Sequence, residues 1–579
     1  MAVAVMGSVA AFWYVSSENT IYYWDYIGWW ERSAILSMWL RQSPLLAIKA
    51  VLESINSSDY NLLAAVPLAG WIGLGGQSRT WFVLGLVTIY GTLSAIAFAL
   101  LCSRFPASMH SATTAELPKT FQAGFEDKPL LVAMIAPIVW TTWSLPFVVA
   151  MRGFVDLGAC AITFLAWQLY LACRSDSWNV RRAVVIGMLL ALLFLFRRYW
   201  AFWISSFGIV TAVDAAMSAW QLRKRNSDAW YKPLAVPALI GLSSLAALLI
   251  VAFPLVARTL TTSYGDIYSA YQKGAHLGVI GRAFSDLLET IRENGLIATL
   301  LGMTSLAWLC LFPDTRRIGL LLTAHTLLCY LQFRRVQAPG LQHYLLWCTG
   351  LTTATALCAT AIAYRLTATR KWIPAVSLLA AGALQMMAAF VPAAQPIRFL
   401  MAGNGTQLPL VRGDIAELER MVNDIDKEAR DKGSQRIYCA ASSPVLNFTT
   451  LVGYSPSLGK PFLSAGLLGH TADVDKRDGF PRDLLAADLV IVTDPPQTHL
   501  DPADQQVVVV PVSQLRGQIG IGAAFEPVDG EYQLDVGVRA FLYRRSRPLT
   551  IDDVLPLSDA LRRCYPDRPY IYEYDHRVP

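Results

Sequence analysis

Residues 1–33 read MAVAVMGSVAAFWYVSSENTIYYWDYIGWWERS, an apolar run that gives way at once to Tyr22, Tyr23, Trp24, Tyr26, Trp29 and Trp30 grouped around one carboxylate, Asp25. Large aromatic side chains favour the depth at which hydrocarbon meets water, so this stretch reads as a membrane span followed by its interfacial exit. The first segment lacks the basic start of a signal peptide and a convincing small-residue cleavage site, and is expected to be a retained, short span with a few residues missing upstream. Asp25 is the residue that topology leaves unexplained. A carboxylate among large rings loses solvation and needs a cationic partner or a chemical task.

The rest of the chain extends the membrane reading. Of 579 residues, 54% are hydrophobic and 16% charged, and the mean hydropathy is +0.41, too apolar for an ordinary soluble protein of this length. A span takes roughly 20 apolar residues, and about eleven candidates follow one another. They lie near residues 2–16, 80–102, 129–150, 153–173, 183–197, 199–221, 233–257, 293–312, 318–333, 343–364 and 373–393. The expected fold is a polytopic α-helical membrane protein, residues 1–394, with a long outer loop at 18–78 and a C-terminal α/β domain, residues 395–579. With the N-terminus cytoplasmic, Arg174, Arg181, Arg182, Arg223, Lys224, Arg225, Lys232, Arg316, Arg317, Arg365, Arg370 and Lys371 all fall in inner loops, the positive-inside pattern. The same alternation puts the Asp25 loop and the C-terminal domain on the outer face, periplasmic or extracellular in a bacterial inner membrane. The net charge of +6 is explained by this topology, which disfavours nucleic acid as a partner.

Two sites break the charge rule. LFRRYWAFW carries Arg197 and Arg198, and LQFRRVQAPGLQHY carries Arg334 and Arg335, at the outer ends of spans. Such residues can snorkel to lipid headgroups. They can also grip a phosphate in bidentate fashion, and at the outer rim of a membrane the natural phosphate is that of a lipid carrier. Gln337, Gln342 and His343 lie at the same rim, as sugar or phosphate contacts or as structural hydrogen bonders. In the loop YGDIYSAYQKGAHLG, Tyr268 fits sugar stacking or an interfacial aromatic belt, and Asp266 is an acidic candidate ranked behind Asp25. Within the 18–78 loop, AILSMWLRQSPLLAIKAVLESI and DYNLLAAVPLAGWIGLG read as helices along the interface, a cover for the spans or part of a site, with Asp59 and Tyr60 opening the second. His325 and Asp214, embedded in spans, are thin support for a proton path.

The order of these parts resembles the GT-C superfamily of membrane glycosyltransferases, which includes protein O-mannosyltransferases, aminoarabinose transferases and arabinosyltransferases. A first span, an acidic and aromatic opening of a long outer loop, many further spans and a terminal soluble domain on the same side carry the resemblance. It implies a polyprenyl-phosphate-sugar donor, an envelope glycan, lipid or protein as acceptor, and Asp25 as catalytic base. Asp59 with DYNLLAAVPL looks like the later part of that family's loop. Some relatives bind a catalytic metal, but the loop at 18–78 has neither a DxD motif nor an adjacent acidic pair, and no cofactor is expected with certainty.

From residue 395 the composition turns polar. DIAELERMVNDIDKEARD reads as an amphipathic helix, and RIYCAAS, DLVIVTD, QQVVVVPV and VRAFLYRR have strand length. The turns DKRDGFPRDLL and VTDPPQTHLDP, with Arg477, Asp478, Asp494 and His499, shape an acceptor site or dock the domain. Seven of nine cysteines are in apolar segments, leaving Cys439 and Cys564 for a weakly supported disulfide, and no zinc-type cluster or Gly-rich phosphate loop appears. The readings left open beside a glycosyltransferase are a lipid-linked oligosaccharide ligase or polymerase, a flippase or transporter of lipid-linked sugars, and an envelope scaffold.

Overall fold

The computed structural model describes residues 2–58, 60–110, 129–175, 178–261, 278–336, 338–366, 370, 372–401, 407–432, 436–458, 468–472 and 474–574. Asp59, Asp266, Tyr268 and Gln337, singled out above, lie outside the described residues. The described residues of 1–16, 32–262 and 274–409 form one compact unit, and those of Ser17–Glu31 and Leu410–Pro579 form a second.

The first unit is helical. Among its described residues six helices are long and apolar enough to cross a membrane: Arg79–Arg104, Asp156–Arg174, Arg198–Lys224, Lys232–Thr259, Leu341–Ala363 and Ile373–Phe390. A seventh is counted if Gly281–Asn294 and Leu296–Leu311, bent by 116° at Gly295, are one broken span. Helices also occupy Ala2–Ser16, Val180–Phe196 and Arg316–Val336. The stretch near 129–150 is broken into Pro129–Thr141 and Ser144–Met151. Small residues let the helices approach closely. A Cβ on Gly187 would lie 2.5 Å from the Ile240 carbonyl oxygen of the neighbouring helix.

The loop between the first two long apolar stretches folds as helices over Asp25–Gln42, Pro44–Ser57 and Val66–Gly75. The break at Ser43 has a local cause. Its hydroxyl accepts the Leu46 N–H at 3.4 Å, and Pro44, which has no N–H to lose, takes the first helical position.

Asp214 and His325 have separate surroundings. Asp214 is buried and accepts from Arg317 Nε at 2.6 Å and Tyr170 OH at 2.8 Å, with Arg174 Nε 3.8 Å away, an ion cluster that ties three helices together. His325 is buried edge-on to Trp167 and Trp203.

The second unit is built on a mixed sheet of β1 (Ile437–Ala440), β2 (Leu468–Gly469), β3 (Leu489–Asp494), β4 (Phe525–Pro527), β5 (Tyr532–Gln533) and β6 (Arg539–Arg545). Their order is β2-β1-β3-β6-β4, with β5 also on β6. β1 runs parallel to β2 and β3, while β6 runs antiparallel to β3, β4 and β5. Alternate side chains go to opposite faces. Cys439, Leu489 and Ile491 pack against the helix Ile415–Lys432, whereas Tyr438, Val490 and Val492 pack against the helices Gln506–Gly517 and Ile551–Cys564. Cys439 and Cys564 are both free.

The run QQVVVVPV, expected as a strand from its valines, lies instead in the helix Gln506–Gly517. Val507, Val508, Val512 and Leu515 are buried in the core on one helical face. Burial of that face outweighs the β preference of valine, which amounts to only about 1 kcal/mol across the whole scale.

The acidic-aromatic segment is stitched into this unit. Asn19 N–H donates to Leu410 O at 2.9 Å and Arg412 N–H to Asn19 O at 2.7 Å, while Tyr22 N–H donates to Ser457 Oγ at 3.1 Å. Ile21 enters the core beside Leu418 and Met421.

Candidate functional site

In the first unit the site grows from the turn after Val180–Phe196. Arg197 leaves the helix with extended backbone at φ −156°, and residues 198–200 form a single 3-10 turn before the next helix. This directs Arg197 inward, where Nη1 donates to Asp156 Oδ2 at 3.1 Å. Asp156, fully buried in the first turn of the helix Asp156–Ser175, also accepts from Trp200 Nε1 at 3.1 Å and from the Tyr199 hydroxyl. Three donors and the helix N-terminus compensate a carboxylate that would otherwise be costly to bury.

The Arg197 guanidinium is held among rings, with its central carbon 5.1 Å from the Tyr199 centroid, 5.4 Å from Tyr60 and 5.9 Å from Phe154. Tyr60 is 40% exposed. Arg32 also touches it, its Nε donating to the Tyr60 carbonyl at 3.2 Å. Tyr199 meets His343 edge-on at 4.6 Å, and His343 Nδ1 accepts the Gly340 N–H at 2.9 Å. Gln342 is buried beside it. Arg197, Tyr60, Gln342 and His343 are therefore brought together. Asp156 and Tyr199, which hold them, were missed by sequence reasoning. The available signal was an acidic residue opening an apolar stretch, in FVDLGACAIT, close in the fold to an anomalous Arg.

Arg334 has a different partner. Its Nε lies 2.8 Å from both Asp286 oxygens, and Tyr330 OH donates to Oδ2 at 2.7 Å. Arg198 is half-buried and Arg335 exposed.

Asp25 belongs to the second unit, where it opens the helix Asp25–Gln42. An acid in the first turn is favoured by the partial positive charge of a helix start. Trp24, just before it, has φ +46°, a conformation that is unusual for a bulky side chain. Its N–H donates to Thr449 Oγ1 at 2.7 Å, its carbonyl accepts from Gly28 at 3.1 Å, and its ring lies 5.3 Å from His499. His499 Nδ1 is 3.0 Å from Ser442 Oγ and 3.1 Å from Gln505 Nε2.

Arg477, Asp478 and Asp494 of those turns are held in ion pairs. Arg477 pairs with Asp478, and Asp494 pairs with Arg516 and Arg539. Burial raises the Asp494 carboxyl, but hydrogen bonds from these two guanidinium groups outweigh it and leave it below the ordinary carboxylate range. At the start of the first of those turns, burial pushes Asp475 up to about 7. Among the described residues no group of three or more His, Cys, Asp or Glu side chains is placed to hold a metal ion.

No protein-family model matches the chain, and no curated protein matches it.

Proposed function

We propose that this chain is a membrane glycosyltransferase of the GT-C type, with about eleven spans, a cytoplasmic N-terminus and its C-terminal domain outside the bacterial inner membrane. It transfers one sugar from a polyprenyl-phosphate donor to an envelope glycan, lipid or protein. The acceptor hydroxyl attacks the anomeric carbon while Asp25 takes its proton. The bond from that carbon to the phosphate oxygen breaks, the electron pair leaves with the lipid phosphate, and single displacement inverts the configuration. Arg197 meets the charge that grows on the leaving phosphate where water is scarce. Asp156 and Tyr199 are positioning residues, because they hold the guanidinium. Tyr60, Gln342 and His343 border the donor sugar, with Arg334, Arg198 and Arg335 at the rim.

The observation that carries this reading is the Arg197 guanidinium fixed by a buried carboxylate within a ring of aromatic side chains, one of them half open. An arginine needed only for headgroup contact would have no use for such an anchor.

The test is a mass profile of envelope glycans and glycolipids from cells lacking the gene, complemented with wild type, Asp25→Asn or Arg197→Met. Loss of a single-sugar increment, restored by wild type and by neither variant although both are present in the membrane, is the expected result. An unchanged profile in the deletion strain overturns the reading.

A further inference from the structure

We infer that the helix Gly281–Asn294 lies along the membrane surface with Phe284, Leu287 and Leu288 sunk among the acyl chains of the leaflet at the Arg334 end of the fold; this needs the membrane placement of the chain but not the transferase chemistry. A helix on the surface of a water-soluble protein turns its apolar residues inward and its polar ones outward. Here the order is reversed. Asp286, Thr290 and Asn294 are buried, with Asp286 accepting from Tyr330 OH at 2.7 Å and Arg334 Nε at 2.8 Å. Phe284, Leu287 and Leu288 are exposed on another side. Glu289 and Arg292, paired at 3.4 Å and each about half exposed, take a third. One face on protein, one open and apolar, and one charged is the pattern of a segment seated where hydrocarbon meets water. The helices it joins and packs on also turn apolar residues outward, Leu300 and Met303 in Leu296–Leu311 and Leu327 and Leu331 in Arg316–Val336.

The end of the helix supplies a second, independent observation. In a helix that ends in water, the last carbonyls are left to the solvent. Here two buried glutamines serve them instead: Gln407 Nε2 donates to the Glu293 carbonyl at 2.8 Å and Gln385 Nε2 to the Asn294 carbonyl at 2.9 Å. Gln385 Oε1 also accepts the Ala298 N–H of the next helix at 2.9 Å. Side chains must satisfy the broken backbone in this way where it sits out of reach of water. Gly295, at φ +86°, permits both the turn and the close approach of Gln385, since a Cβ there would fall 2.4 Å from Gln385 Cδ. The bend of 116° then carries the helix out of the direction of Leu296–Leu311 and toward the membrane plane. Lipid acyl chains are the occupant that fits the open face, because they also surround the outward leucines of the helices beside it.

The test uses full-length protein in vesicles of phosphatidylethanolamine and phosphatidylglycerol, with the photoreactive residue p-benzoylphenylalanine placed in turn at Phe284, Leu288, Glu289 and Leu242. Leu242 is an exposed position within the span Lys232–Thr259 and reports contact with lipid by itself. After irradiation and digestion, the peptides carrying residues 284 and 288 are expected to gain the mass of a phospholipid at a yield close to that at residue 242, and residue 289 several-fold less. A lipid adduct at residue 242 but none at 284 or 288, or a cross-link from those two to a second copy or to another segment of this chain, overturns the inference while leaving the membrane placement intact. No lipid adduct at any of the four positions overturns both.

Discussion

Asp156 and Arg197 form a buried ion pair at 3.1 Å, with the aspartate side chain wholly covered and the arginine side chain 5% exposed. Removing one partner strands a charge in a poor solvent. Asp156→Ala is expected to destabilise the helical unit by about 3–5 kcal/mol, whereas Asp156→Leu with Arg197→Met recovers most of that loss because no charge is left uncompensated. Thermal unfolding followed by size-exclusion chromatography in detergent measures both. The double variant should nonetheless transfer no sugar, which separates the structural role of the pair from the chemical role of Arg197.

Gly453 lies against the backbone of the Asp25 segment. A Cβ there would come 1.9 Å from the Tyr22 carbonyl oxygen, an overlap that side-chain rotation cannot relieve. Gly453→Ala should shift residues 17–31 and destabilise the second unit by about 1–3 kcal/mol. Transfer is expected to fall as it does in Asp25→Asn, with membrane insertion intact, as read by activity and by protein level in washed membranes. Wild-type activity in this variant would show that the placement of the segment does not matter.

Asp475 gives the second unit a pH dependence. Burial raises its carboxyl to about 7, although Tyr565 OH and the Val507 N–H both donate to Oδ2. The folded pKa lies above the ordinary carboxylate value, so the folded form holds a proton that the unfolded chain has released. Stability from this group is fully present below about pH 4 and is lost as pH rises toward 7. Hydrogen exchange, corrected for intrinsic rates, should show less protection of the helix Gln506–Gly517 at pH 8 than at pH 5.5. Asp475→Asn should flatten that difference, and equal protection at both pH values in wild type would contradict it.

The parts of this fold legible in the sequence are those written in local runs. Apolar stretches such as 156–174 and 341–363 announce themselves by hydropathy, and the Arg197 and Arg334 pairs by their place in the charge pattern. Gln342 and His343 could be named as rim residues and Tyr60 as part of the long loop, but their convergence on Arg197 depends on Asp156 and Tyr199, whose roles exist only once separate helices pack. The same holds for residues 17–31. Their hydrogen bonds to Leu410, Arg412, Thr449 and Ser457 join residues several hundred positions apart, and no local pattern encodes such contacts. In QQVVVVPV the local pattern misleads, since four consecutive valines favour a strand until a sheet face requires a helix to cover it.

The most direct test of the central claim is to count the products made by purified full-length protein. Supplied with donor lipid and acceptor glycan, wild type should release one free polyprenyl phosphate for each sugar added to the acceptor, and Asp25→Asn should do neither while remaining folded. Full turnover by Asp25→Asn would contradict the assignment of the base, and donor that crosses a vesicle membrane with its sugar still attached would mean that the chain moves lipid-linked sugars rather than transferring them.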